Sequence, residues 1–320
     1  MRSRLFPRSV LLAIGLLTAF TLGAHGAVQN RVVSNIDESS RVPIQHTVPA
    51  RARLATDNGR TPAGQTLSAL TLRFNMTSAQ QAALTQLLLD LQNPSSPSYH
   101  HWLTPAQFGA RFGLNAADLA KVTGWLSGQG FTVTRTAPSS TSVTFTGTVA
   151  QVEQAFGTSI HALTIDGEQH MANLTDPVLP AAIAGIVSNI TGLNDFRLKS
   201  RARTRTVNAS AVRPQYTSSV SGNHSIAPGD FYTIYDVNPL LTNSINGSGI
   251  TIAVMGQTDI SLADVAAFRA ASGLSANAPT IKLYGPDPGT VSGDLAEAQL
   301  DVEWSGAAAP AANILYVNSK

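Results

Sequence analysis

Cysteine is absent from all 320 residues, which removes disulfides, thiol nucleophiles and cysteine-ligated zinc together. Charge is scarce too. Only 12% of residues are Asp, Glu, Lys or Arg, and the formal net charge is +2, so the many loops should be polar but weakly charged. No apolar stretch after the first 27 residues is long enough to compete for a membrane. Histidine is missing after His224, so the C-terminal third has no imidazole for a Ser-His-Asp triad. What remains is 43% hydrophobic and long enough for about two domains of roughly 150 residues each, so cohesion must come from burial.

The first 27 residues have the order of a secretory signal. Arg2, Arg4 and Arg8 precede an apolar run over residues 10–22, and Gly23, Ala24, Gly26 and Ala27 supply the small residues of a cleavage region. The run is short for a bilayer span, so a cleaved peptide and a secreted product, extracellular or periplasmic, are expected. No membrane attachment should remain after cleavage.

Residues 28–64 form a polar lead-in without periodicity, expected to be largely unstructured. From residue 65 the pattern sharpens. Leu70, Leu72 and Phe74 alternate with Thr71, Arg73 and Asn75, which predicts a strand over 67–75. Thr77 opens an amphipathic helix that runs to Leu91 and stops at Asn93-Pro94. Thr104-Pro105 starts another helix, and a further one is predicted over 116–128. Segments 131–135 and 142–146 read as a hairpin. A helix over 149–156 and strands near 159–164, 169–173 and 185–191 follow. The order predicts an α+β domain over 65–196, a ferredoxin-like split β-α-β arrangement with added helices.

Residues 197–222 carry Arg197, Lys199, Arg201, Arg203 and Arg205 among Ser, Thr and Asn, a basic linker. Lacking interleaved aromatics, it predicts an exposed, protease-accessible tether rather than a nucleic-acid contact. Beyond it, over 223–320, come a helix at 231–241, a strand at 250–255, a helix at 261–271, a strand at 280–284, a helix at 292–305 and a strand at 313–317. Strands alternating with helices imply part of a parallel α/β sheet. The charges divide between the halves. Of the 21 basic and 19 acidic residues, 17 basic but only 10 acidic ones lie before residue 209, an asymmetry that favours docking of one half on the other.

The segment with the most chemistry runs from Gly293 to Gly306. Glu297 and Asp301 stand four apart, on one face of the predicted helix, with Cβ atoms about 5–6 Å apart. Two carboxylates so placed repel unless one keeps a proton, which raises one apparent pKa and suits the pair to acid-base work in acid. An imidazole would already be charged there. Leu295, Leu300, Val302 and Trp304 flank the pair, and no Lys or Arg lies between Lys282 and Lys320.

Glu297-Ala298-Gln299-Leu300-Asp301-Val302-Glu303 resembles the acidic motif of the sedolisins, the serine-carboxyl peptidases of the kumamolisin group. The front half carries its own likeness. The run from Asn93-Pro94 through Tyr99-His100-His101-Trp102-Leu103-Thr104-Pro105 to Phe108, with Val152-Glu153-Gln154-Ala155-Phe156-Gly157, resembles the activation propeptide of that group. The resemblance implies a secreted zymogen: signal 1–27, lead-in 28–64, activation propeptide 65–196, a linker with the maturation site at 197–222, and from 223 the first part of a subtilisin-like peptidase domain. It implies Glu297 as general base for a serine and Asp301 as its orienting partner, polypeptide substrates, an intramolecular contact between propeptide and peptidase, and calcium in the complete domain, with no cofactor in this chain. Tyr99 and Trp102 are expected to pack on the propeptide core, and the paired histidines to pack and hydrogen-bond rather than bind metal.

The departures are as informative. The implied nucleophile lies in a Ser-Gly-Thr-Ser segment with proline four residues on. Gly157-Thr158-Ser159 imitates it but follows Phe156, has Leu163 at the proline position and sits in the propeptide, so a structural role is expected. The chain is therefore expected to stop before its serine and to be inactive alone. Many family members place a glutamate just after the first peptidase strand, where this chain has Gly256-Gln257-Thr258-Asp259, which leaves the role of Asp259 open. A non-enzymatic secreted inhibitor or chaperone is the alternative reading.

Overall fold

The computed structural model describes residues 28–197, 199–200, 216–217, 222 and 224–319. The expected signal peptide and most of the expected linker lie outside them. Two compact units divide the chain, one ending at Phe196 and the other beginning at Arg197.

The first unit begins with β1 (Arg41–Pro43), a 3-10 turn (Ala50–Leu54) and β2 (Thr56–Arg60). Next come β3 (Thr66–Phe74), α1 (Ser78–Gln92), α2 (Pro105–Phe112), α3 (Ala116–Gly128), β4 (Thr132–Thr136), β5 (Ser142–Thr148) and α4 (Val149–Phe156). It closes with β6 (Ile160–Ile165), β7 (Glu168–Asn173), β8 (Val178–Pro180), the single turn α5 (Ala181–Ala184) and β9 (Val187–Thr191). The main sheet is antiparallel, in the order β4-β5-β3-β9. Its inner face presents Leu70, Leu72, Val143, Phe145, Val187 and Ile190. Strict alternation would turn Leu67 away from Leu70. A bulge between them, with Ala69 at φ 60°, turns both inward.

Local sequence sets the helix starts. Thr77 with Gln80, Thr104 with Gln107 and Thr148 with Gln151 each form a reciprocal capping box, which satisfies two of the donors a helix start leaves orphaned. Four aromatic rings meet over the sheet. Phe156 lies 5.8 Å from Trp125, 5.6 Å from Phe131 and 6.1 Å from Phe145.

Three sequence expectations are corrected. The lead-in 28–64 is structured: Val32 is fully buried, β1 pairs with β8, and β2 joins β6 and β7 in a second antiparallel sheet. The buried carboxylate of Asp118 accepts hydrogen bonds from the backbone amides of Arg31 and Val32, at 2.7 and 3.0 Å. Single apolar anchors and backbone bonds hold this segment, and neither leaves a periodic signal. Trp102 does not pack on the core. It is 62% exposed and belongs to a surface stack in which the His100 ring lies 3.8 Å from Tyr99 and 6.0 Å from Trp102.

The third correction lies in the second unit, where the single helix expected at 231–241 is two. A short pairing of β10 (Tyr216–Thr217) with β11 (His224–Ser225) leads into α6 (Pro228–Ile234) and α7 (Asn238–Thr242). Between them Asp236 turns left-handed at φ 52°, and Pro239 would clash with the carbonyl four residues back in an unbroken helix. Then come β12 (Thr251–Gly256), α8 (Leu262–Ala271), β13 (Thr280–Leu283), α9 (Ser292–Ala308) and β14 (Asn313–Asn318). The three strands pair in parallel in the order β12-β14-β13. Val254, Ile314 and Tyr316 from the sheet pack with Val265 of α8 and with Ala298 and Val302 of α9.

Candidate active site

A cleft of about 200 Å³ opens where the parallel strands end. Met255, Gly256, Gln257 and Thr258 line it from the carboxyl end of β12, and Asp294, Glu297, Ala298 and Asp301 from α9, together with Lys199 and Ser200. Crevices outside the carboxyl ends of strands are where open α/β sheets bind ligands. The cleft brings Glu297 and Asp301 together on one wall. Both residues remain exposed. Burial, and then the neighbouring Glu297 charge, nevertheless push the Asp301 carboxyl above its ordinary range. The two side chains thus share one wall of the cleft, and the shift falls on Asp301.

Asp294 was not singled out in the sequence, although positions 294, 297 and 301 follow the i, i+3, i+7 rule of a single helix face. It extends the acidic wall. Asp259 points elsewhere. Its Oδ1 accepts from Asn318 Nδ2 at 2.6 Å, and its backbone amide donates to the Gly289 carbonyl. The residue left open by the sequence thus braces the loop after β12 against β14.

Both ends of α9 are fixed. At its start the Thr258 hydroxyl accepts from the Val291 amide at 2.8 Å, and midway along it Gln299 donates to the carbonyl of Ser261, the residue that caps α8. At its end the buried Arg269 guanidinium donates to the carbonyls of Ser275, Gly306 and Pro310 at 2.7–3.0 Å, a cation where the helix dipole is negative. The Tyr232 hydroxyl donates to the Ala307 carbonyl at 2.7 Å.

Glu303 lies on the other side of α9 from the pair, toward α8. Burial and the charge of Asp264 raise its carboxyl to about 7. A carboxyl whose folded pKa is raised stabilises the fold most below its unfolded value of 4.5, and that contribution fades as pH climbs through 7. Glu303→Gln is expected to flatten the loss of thermal stability between about pH 5 and 7. Melting curves at several pH values would check this, and an unchanged slope would contradict it.

Gly157-Thr158-Ser159 terminates α4, with Gly157 left-handed at φ 56° and the Thr158 hydroxyl donating to the Thr175 carbonyl. Among the described residues no three His, Asp or Glu side chains gather as a metal site. No helix among the described residues is long and apolar enough to cross a membrane.

Residues 55–196 match the family model of the pro-kumamolisin activation domain. The chain is 28% identical over 231 residues to xanthomonalisin of Xanthomonas sp. (strain T-22), an alignment covering 70% of this chain and 26% of the relative. It is 27% identical over 222 residues to sedolisin of Pseudomonas sp. (strain 101), covering 68% and 36% respectively. It is 27% identical over 225 residues to kumamolisin of Bacillus sp. (strain MN-32), covering 65% and 38%. The chain thus spans between 26% and 38% of the length of these curated relatives.

Proposed function

From the premise that this chain is related to the sedolisin-type peptidase zymogens and carries a pro-kumamolisin activation domain over residues 55–196, we propose that it acts as a secreted, acid-acting serine-carboxyl endopeptidase precursor. In this reading Glu297 is the general base and Asp301 orients it and shares its proton. The serine they activate lies outside these 320 residues. The observation that carries the reading is the raised Asp301 carboxyl beside Glu297 in a cleft at the strand ends. A base that must work in acid needs a carboxylate whose neighbour holds the proton.

The carboxyl shifts differ in direction between the two units, the pattern that maturation at low pH would use. In the first unit several carboxyls are held below their ordinary values. Asp37 is lowered by hydrogen bonds from Ser39, and Asp57 by His161. For Glu38 burial pushes upward but is outweighed by bonds from Trp125 and Arg41, and for Asp176 burial is outweighed by bonds from Thr47 and its neighbours. A depressed carboxyl stabilises the fold above its unfolded value, and that support disappears as pH falls through the folded one. Glu303 and Asp301 in the second unit are raised, so they favour folding as pH falls. On this reading acid should withdraw support from the first unit and not from the second. The order β4-β5-β3-β9, with helices between the outer and inner strands, supports the ferredoxin-like reading of the propeptide. The parallel β12-β14-β13 sheet supports a partial subtilisin-like domain. Polypeptides are the proposed substrates, and the propeptide the proposed intramolecular partner.

A base without a nucleophile forms no acyl-enzyme, so the purified 320-residue chain is expected to show no proteolysis in acid. Casein or peptide hydrolysis at pH 3–5, abolished by Glu297→Gln, would contradict that assignment. In the full-length gene product the test is whether Glu297→Gln blocks maturation within 197–222. Normal processing would remove the assigned role and leave the inhibitor or chaperone reading.

A further inference from the structure

Beneath the cleft lies a phenol that the acidic motif does not include. Tyr316 is fully buried in β14, two residues before the strand ends. Its hydroxyl donates to the Thr258 carbonyl at 2.7 Å, and Thr258 is itself fully buried. The wall of the cleft opposite α9 is the stretch 255–258, so this bond anchors that wall from behind. The ring needs room, and Gly256 provides it. A Cβ at that position would stand 2.0 Å from the Tyr316 hydroxyl and 2.6 Å from its ring carbon, well inside any allowed contact. Glycine here therefore reflects the phenol rather than backbone conformation. The charges of Asp259, Asp301 and Asp294 act on this hydroxyl.

We propose that Tyr316 is a positioning residue for the Glu297 and Asp301 pair: its hydroxyl holds the 256–258 wall closed, and Gly256 is the cavity that admits it. The inference rests on the proposed role of that pair. Losing the hydroxyl leaves the Thr258 carbonyl buried and unpaired, a costly state that the wall escapes by turning toward water. Water entering from behind lessens the burial that raises the Asp301 carboxyl.

The test is a site-resolved carboxyl titration by carbon-13 NMR on the 320-residue chain. Tyr316→Phe should lower the Asp301 midpoint toward its ordinary range. Gly256→Ala keeps the phenol but pushes it off Thr258, so it should do the same. Tyr232→Phe removes a phenol-carbonyl bond of equal length at the far end of α9 and should lower thermal stability without moving Asp301. An Asp301 midpoint unchanged in both Tyr316→Phe and Gly256→Ala, while Glu297→Gln moves it, would overturn the role of Tyr316 and spare the pair. A midpoint unmoved by Glu297→Gln would overturn both.

Discussion

Glu297→Gln in the full-length gene product is expected to leave the precursor uncleaved under acidic conditions that process the wild type, with residual turnover lower by about 10²–10⁴-fold. Glutamine preserves the shape of the side chain and the helix around it, so the fold should survive. Under the proposed role, what it loses is the capacity to take a proton from a serine hydroxyl. It also removes a charge that helps raise the Asp301 carboxyl, so the neighbouring acid should ionise at lower pH. A time course of precursor and mature bands after acidification, with circular dichroism of both proteins, separates lost chemistry from lost folding. Normal maturation of a folded mutant would end the assignment.

Phe156→Ala should have the largest effect on stability. The ring is fully buried at the end of α4 and touches Trp125, Phe131 and Phe145, joining α3, α4 and the main sheet. Truncation removes the transfer energy of the ring and leaves a cavity that three large aromatic neighbours fill poorly. The cost should be about 3–5 kcal/mol, a large fraction of the total stability of roughly 5–15 kcal/mol typical of a domain. Phe156→Leu retains most of the volume and should cost far less. Urea unfolding of both variants, followed by tryptophan fluorescence, would measure the difference. A cost below about 1 kcal/mol for the alanine variant would mean that the cluster is not the centre of the propeptide core.

Much of this architecture is legible in the residues because local signals and burial agree. Thr77, Thr104 and Thr148 announce helix starts through their hydroxyls, and the alternation around Leu70 and Leu72 marks the central strand. The lead-in escaped because Val32, Ile44 and Ala52 act as isolated plugs whose partners lie far along the chain, and a buried Asp118 bonding two backbone amides has no local pattern. The bulge at Ala69 was hidden for a related reason: it changes register without changing composition. Trp102 misled because aromatic character suggests burial, whereas here a ring stack on the surface accounts for it.

In the cleft, the i, i+4 spacing of Glu297 and Asp301 was readable because a helix fixes which residues share a face. Asp294 was equally readable, and went unselected because it precedes the motif. Tyr316 and Asn318 were not readable, since what they do depends on which strand ends the sheet brings together. Asp259 shows the limit most clearly. Its position after β12 left its role open, and only the parallel register decides that Asn318 meets it.

Titrating the carboxyls of Glu297 and Asp301 in the intact chain, residue by residue, is the most direct measurement of whether this cleft is built for acid-base work. The expected result is coupled titration, with the Asp301 proton retained above the ordinary aspartate range and released more readily once Glu297 is glutamine. Two independent steps, with Asp301 ordinary and indifferent to that substitution, would contradict it.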